Sequence, residues 1–441
     1  MCYYCGNPIE RHENVGNLFP KLEDEVLRAN AGTNQELANY LSSGFWSDFG
    51  TTTRKYNLSN SGTFAKSGVL TYNTSGNNFD GNGLTNERAN LIDEAFNLVE
   101  KVLGINFQLT TNSNADFRFG DENSGAYASS SVSGGNINYT NINISSSWHS
   151  GLSGFGNYTF QTILHEIGHA LGLGHQGDYN GWASYANDAV FANDSWQSSI
   201  MSYFSQSENT SINATYAFIS TFMPADWIAL DDLYQDQGYS TSNAFAGDTI
   251  YGYNTNISAS ECAIFNDFTD LIDSTAYTII DGSGTDTLNL SGLINNNSID
   301  LRPTNGNQTS LYASDIAGDI GNLIFGEGTI IENCIAGSGD DFITGNSAEN
   351  FLEGGAGDDT LNGGDGDDTL DGGDGSDVAL FSGDFADYSF SLRNGSLVVS
   401  DERPGEHGGA DLLQNILLVE FGDQVKFVNA LISDSDEDED E

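Results

Sequence analysis

Thr159-Phe-Gln-Thr-Ile-Leu-His165-Glu166-Ile-Gly-His169-Ala-Leu-Gly172-Leu-Gly174-His175 is the stretch on which the reading of the whole chain turns. Ile163, Leu164, Ile167 and Leu171 recur at helical spacing, and Thr159 stands where it can cap the first turn. His165 and His169, four residues apart, then share one helix face and can hold one metal ion. Glu166 lies one position round the helix, near enough to act on a water at that metal without being a ligand itself. Gly172 suits a left-handed helix stop, and the turn there lets His175 swing back as a third ligand. Three of the six histidines of the chain fall in this window. Three neutral imidazoles suit one catalytic zinc and leave a position open for water. Zinc lowers the pKa of that water. Glu166 can accept its proton as that water attacks an electrophile and can then pass it to a leaving group.

Downstream, Ser199-Ile-Met201-Ser-Tyr203 supplies a methionine-containing turn that can floor such a site. The extended H-E-x-x-H-x-x-G-x-x-H spacing together with Met201 resembles the metzincin peptidases. Tyr203, two residues after the methionine, narrows the resemblance to serralysins and astacins. It implies that Tyr203 is a further zinc ligand, one that moves aside to stabilise the transition-state oxyanion. His175-Gln-Gly-Asp-Tyr-Asn180 is similar to the serralysin sequence after the third histidine, with Gln176 where that family usually has Pro. The resemblance also implies an extended peptide substrate lying along an edge strand above the zinc helix. Gly125, Ala126, Tyr127 and Ala128 are the candidates for that strand; an ordinary sheet strand is the alternative.

Around this motif the pattern is that of an α+β domain. Leu37, Tyr40, Leu41 and Phe45 have helical spacing, and residues 85–102 form an amphipathic helix. Short strands are expected at 69–72, 115–119, 124–129 and 137–139. The metzincin zinc-protease domain is placed at residues 21–238, after a leader at 1–20. In that leader, Cys5-Gly-Asn-Pro8 resembles the cysteine switch of matrixins, which implies that the Cys5 thiolate could occupy the open zinc position and hold a zymogen latent. Cys2-x-x-Cys5 can equally be a redox pair, a lipid or metal attachment point, or a disordered start. Whether Cys262 and Cys334 pair is left open.

From about residue 336 the chain acquires a nine-residue period. Gly354-Gly355-Ala-Gly357-Asp-Asp359-Thr-Leu361 is followed by Gly363-Gly364-Asp-Gly366-Asp-Asp368-Thr-Leu370, then by Gly372-Gly373-Asp-Gly375-Ser-Asp377. Gly337-Ser-Gly-Asp-Asp341-Phe-Ile343 precedes them. This is the G-G-x-G-x-D-x-U-x pattern of RTX parallel β-rolls: glycines turn, aspartates and turn carbonyls bind several calcium ions, and the apolar residue fills a thin core. The unit at 345–350 has lost two glycines and its Asp, so a weak half-site is expected there. Gly282-Ser-Gly-Thr-Asp286-Thr-Leu288 reads as an isolated, similar unit. These repeats separate serralysins from astacins. The fold expected is therefore two-domain: the α+β metzincin domain, then an all-β RTX roll over residues 239–433, with little helix. Residues 434–441, seven acids and one Ser, are expected as a disordered tail.

Composition agrees with calcium. Asp and Glu number 63 against 13 Lys and Arg, a formal charge of −50, which opposes binding to nucleic acid or anionic membrane. There is no run of 18 apolar residues, so no membrane span is expected. The N-terminus lacks a basic stretch followed by an apolar one, which points to leaderless export, with type I secretion implied by the resemblance. The expectation is a secreted, monomeric endopeptidase acting on extracellular proteins. The rival is a calcium-dependent surface or adhesion protein with a non-proteolytic zincin domain.

Overall fold

The computed structural model describes residues 30–148, 154–405 and 409–437. These fall into two compact units, one through Ser240 that also includes Asn305–Ser310, the other comprising Thr241–Thr304 and the chain from Leu311.

The first unit begins with α1 (Asn34–Asn39), capped by Thr33, which continues through a widened π turn at Tyr40–Gly44 into Phe45–Asp48. Strand β1 (Lys55–Tyr56) and β2 (Val69–Asn73) follow, then α2 (Asn86–Leu103) and β3 (Asn106–Leu109). Thr85 caps α2, and Gly104 in the left-handed region ends it. β2, α2 and β3 form a βαβ unit, with β2 and β3 parallel neighbours. The helix buries Leu91, Ile92, Ala95, Phe96, Leu98, Val99, Val102 and Leu103. Phe96 fixes it on the sheet, its ring 4.6 Å from both Tyr72 and Phe107 and 5.1 Å from Phe117. Burial of such a ring contributes several kcal/mol, about 3–5 on truncation to Ala.

The sheet continues through β4 (Phe117–Gly120), parallel to β2, and then β6 (Asn136–Ile144), parallel to β4. β5 (Ala126–Ser133) pairs antiparallel with β6 and, among the described residues, with no other strand. The sequence foresaw β5 and β6 only as fragments. Their Ser, Thr and Asn positions hide an eight-residue and a nine-residue strand. β3 was not foreseen. None of its four residues is buried, so its pairing with β2 leaves no apolar trace in the sequence.

Helix α3 (Tyr158–Leu171) packs across β5 and β6 and is buried on every face. Its cap is Asn157, whose Oδ1 accepts from the N–H groups of Thr159 and Phe160. Thr159, expected as the cap, is inside the first turn, because an asparagine two residues earlier reaches the free amides first. Helix α4 (Pro224–Tyr234) closes the unit, with Pro at its first position.

In the second unit, short parallel strands form two ladders whose central rungs step by 18 residues. One ladder runs through Ile250–Gly252, Thr287–Asn289, Asn333–Ile335, Phe351–Ala356, Thr369–Asp374 and Ala410–Gln414. The other runs through Ser298–Asp300, Phe342–Thr344, Thr360–Asn362, Val378–Leu380 and Leu418–Glu420. Successive nine-residue units alternate between the ladders, and Ile343, Leu352, Leu361, Leu370 and Ala379 are all fully buried. The unit ending at Leu288 is not isolated. It pairs in register with Tyr251 on one side and Cys334 on the other, and sequence distance alone concealed this. Helices at Ala259–Asn266 and Val428–Glu437 interrupt the strands, the second extending into the acidic segment expected to be a disordered tail. Val428, Leu431 and Ile432 give that segment a helical start. Cys262 and Cys334 are both buried and do not form a disulfide with each other.

Candidate metal centre

α3 presents His165 and His169 one turn apart. It ends at Gly172, whose φ of +118° is left-handed. A Cβ at that position would stand 2.2 Å from the Arg54 carbonyl oxygen, so glycine is required on both counts. The turn returns the chain and brings His175 to the other two. The three side chains are buried, and their ligating nitrogens all lie within 4.8 Å of one another.

Each imidazole is oriented through its other nitrogen. Nδ1 of His165 is 2.8 Å from the Ile200 carbonyl, that of His169 is 2.9 Å from Leu173 O, and that of His175 is 2.8 Å from Tyr179 O. Carbonyls only accept, so each Nδ1 carries the proton and each Nε2 presents a lone pair. Nε2 of His169 and Nε2 of His175 then face one another at 3.0 Å. Two lone pairs at that distance repel unless a cation lies against both. This donor set fits zinc, which takes three imidazoles with Zn–N near 2.0–2.1 Å and keeps a further position open.

Glu166 is fully buried on the same helix. Met201 is also fully buried, and its Sδ lies against Gly168, where a Cβ would come within 2.6 Å of it. The glycine between Glu166 and His169 is thus the space the methionine occupies. The Tyr203 ring centroid is 4.5 Å from that of His175, and its hydroxyl accepts from Gly181 N at 3.4 Å.

Asp226 escaped the sequence reading. It is fully buried at the start of α4 and accepts from Ser199 Oγ (2.6 Å), Ile200 N (2.7 Å) and Met223 N (2.9 Å). Burial pushes its carboxyl up to about 7 against these hydrogen bonds. It holds the Met201 turn and, through Ile200, the carbonyl that orients His165. Pro224 followed by an acid in the first turn was the available signal.

Of the strand candidates, Ala126, Tyr127 and Ala128 open β5, opposite Ile144, Asn143 and Ile142 of β6. Gly125 precedes the strand in a left-handed conformation, φ +77°. Its carbonyl is already taken by Asn143 Nδ2 and Ser145 N. Cys2 and Cys5 lie outside the described residues.

The repeat aspartates form a second candidate set. Asp359 Oδ1 accepts from Asp341 N, Asp377 Oδ1 from Asp359 N, and Asp368 Oδ1 from Asn350 N, at 2.7–2.9 Å. The second oxygens of Asp359, Asp368 and Asp377 are buried without a hydrogen-bond partner. Burial raises these carboxyls, Asp359 to about 6 and Asp368 to about 7. Buried, unpaired carboxylate oxygens beside glycine turns fit calcium, a hard cation bound by oxygen. The glycines permit the stacking. Gly355 and Gly373 are left-handed, and a Cβ on either would meet the carbonyl of the glycine 18 residues earlier at 2.1 Å. Asp341 differs, since its Oδ2 accepts from Gly337 N at 3.2 Å. In the unit at 345–350, Asn350 stands at the aspartate position and donates to the carbonyls of Ile331 and Glu332. One member was missed: Asp411 Oδ1 accepts from Asp368 N at 3.0 Å, continuing the stack. Gly409-x-Asp411-x-Leu413 keeps the repeat spacing, but 43 residues after Asp368.

Parts of the chain are similar to known peptidases. Residues 240–437 match the family described as peptidase M10 serralysin C terminal. Metallopeptidase AprA of Pseudomonas marginalis is 39% identical over 198 residues, 44% of this chain and 38% of that protein. Metalloprotease AprA of Pseudomonas entomophila is 40% identical over 201 residues, 44% of this chain and 38% of that protein. Serralysin C of Dickeya chrysanthemi is 37% identical over 222 residues, 49% of this chain and 42% of that protein. The matches thus span about two-fifths of these relatives' lengths. Over its C-terminal part the chain is similar to the serralysin C-terminal family, and over less than half of its length to serralysin-type metallopeptidases.

Proposed function

We propose that the protein is a secreted zinc-dependent endopeptidase, hydrolysing peptide bonds in extracellular proteins. The observation that carries this reading is the convergence of the Nε2 lone pairs of His165, His169 and His175, each imidazole locked by a backbone carbonyl. Tyr203 beside them is the fourth protein group of the site. When bound, zinc supplies the positive charge that acidifies water and polarises a peptide carbonyl. Glu166 takes the proton from the attacking water and returns it to the leaving amine. The Tyr203 hydroxyl donates a hydrogen bond to the carbonyl oxygen as that oxygen gains charge. The substrate backbone lies extended along β5, whose outer edge carries hydrogen-bonding groups that β6 does not use.

In the same reading residues 1–20 are a leader, 21–238 the metzincin domain and 239–433 a calcium-binding β-roll, the two ladders being the walls of the roll. Asp341, Asp359, Asp368 and Asp377, with the turn carbonyls from Gly354 to Gly375, hold the calcium ions. The aspartates crowd one another and cannot all ionise in a compact roll without cations, so folding of this region depends on calcium. Export by a type I route in an unfolded, calcium-free form, then folding outside as a monomer, belongs to the same reading. Among the described residues no helix is long and apolar enough to cross a membrane.

Casein zymography of the purified protein tests the assignment. Clearing that is abolished by a zinc chelator and restored by added zinc is expected. Clearing that survives complete removal of zinc, or no clearing by zinc-loaded, calcium-folded protein, contradicts it.

A further inference from the structure

Asp194 lies outside the zinc motif and the methionine turn, yet it is fully buried between them. Its Oδ1 accepts from Ser202 Oγ at 2.6 Å, and its two oxygens accept from the Tyr179 hydroxyl at 3.2 and 3.1 Å. Both partners lead to the metal centre. Ser202 joins Met201 to Tyr203, and its Oγ accepts from Phe204 N at 3.0 Å, so the hydroxyl brackets Tyr203 from both sides in sequence. Tyr179 reaches the centre twice. Its carbonyl takes the Nδ1 proton of His175 at 2.8 Å, and its hydroxyl accepts from Tyr203 N at 3.4 Å. Its ring lies 4.8 Å from that of Tyr203 and 5.6 Å from that of His175.

We infer that Asp194 is a positioning residue: through Tyr179 and Ser202 it fixes Tyr203 relative to His175 at the metal. The inference rests on the reading of this site as a zinc peptidase centre. The physical case is one of constraint. Tyr179 carries two attachments to the site, a backbone carbonyl and a side chain, and a hinge with two attachments transmits position only if its far end is fixed. Asp194 fixes it, its two oxygens accepting from the Tyr179 hydroxyl while Oδ1 also accepts from Ser202 Oγ. Asp194 is itself tied down, its carbonyl accepting from Asn209 Nδ2 at 2.9 Å. Asp226 does the corresponding work on the other side of Met201, holding Ile200 and so His165. The two buried carboxylates therefore act on different ligands, and only Asp194 acts on Tyr203.

The test uses the full-length, calcium-folded protein with the Tyr179→Phe and Asp194→Asn variants. Tyr179→Phe removes only the hydroxyl. The ring and the carbonyl to His175 remain, so zinc affinity should stay within about twofold of wild type while kcat falls about tenfold and KM changes little. Replacement of zinc by copper(II) gives a readout independent of turnover, because a copper-bound phenolate absorbs visible light by charge transfer. That band should shift or weaken in both variants and be absent in Tyr203→Phe. An unchanged band and unchanged kcat in Tyr179→Phe overturn the inference, as does a wild-type copper spectrum with no phenolate band. If Asp194→Asn does not fold, Tyr179→Phe decides alone. Wild-type protein that binds metal but cleaves no peptide defeats the peptidase reading instead, and the copper band still decides the positioning role.

Discussion

Met201 and Gly168 meet so closely that no methyl group fits between them. Gly168→Ala is therefore expected to displace the Met201 sulfur and destabilise the first unit by about 1–3 kcal/mol, the usual cost of overpacking a filled core. Thermal unfolding of the calcium-loaded protein measures it. A melting temperature unchanged from wild type would show that Met201 moves aside freely. Tyr203→Phe tests a second residue. It should lower kcat much more than it raises KM, because the hydroxyl is assigned a bond made mainly in the transition state. A pure KM effect would make Tyr203 a binding residue only. The histidines, Glu166, Met201 and Tyr203 could be singled out because their arrangement is written in local spacing, and the structure brings the three histidines together. Asp226 and Asp194 could not: Asp226 holds Ser199 Oγ and two backbone amides, and Asp194 holds two hydroxyls, at separations that follow no helix or strand period.

Among the elements, the repeat ladders follow the sequence most closely. A nine-residue period with glycine, aspartate and one apolar residue leaves the chain little choice but to stack at twice that period. The ends of the stack were less legible. The rung containing Asp411 is reached only after the hairpin of Tyr388–Arg393 and Ser396–Asp401, so its repeat spacing is separated from the run. Gly355→Ala tests the stacking. A left-handed non-glycine residue costs about 1–2 kcal/mol, and the clash with Gly337 O adds to it. Urea unfolding of the calcium-loaded variant should show at least that loss. The aspartates make the ladder sensitive to pH. Folding raises Asp359 from 3.8 to about 6 and Asp368 to about 7, so the folded state binds more protons than the unfolded one. Without calcium, their contribution to stability is full below 3.8 and is lost as pH rises towards 6–7. Calcium needs the ionised form, so its affinity should change in the opposite sense and weaken on acidification through the same window. Calcium titrations at pH 5 and pH 8 that gave equal affinities would contradict this.

For the whole molecule the controlling quantity is the formal charge of −50. Such an excess opposes a compact state unless cations offset it, and buried, unpaired carboxylate oxygens lie where the repeats turn. Strong calcium chelation should therefore unfold the ladders, and added calcium should restore them; a circular dichroism spectrum indifferent to chelation would refute calcium-dependent folding. The central claim is that three histidines hold zinc while Glu166 acts as the base, and these two roles separate in one variant. Zinc content and peptide hydrolysis of Glu166→Ala should be measured side by side with wild type. The account predicts one zinc per chain in both proteins and loss of nearly all hydrolysis in the variant. Hydrolysis by Glu166→Ala within about tenfold of wild type would contradict it, since removal of a general base alone typically costs 10²–10⁴ in rate.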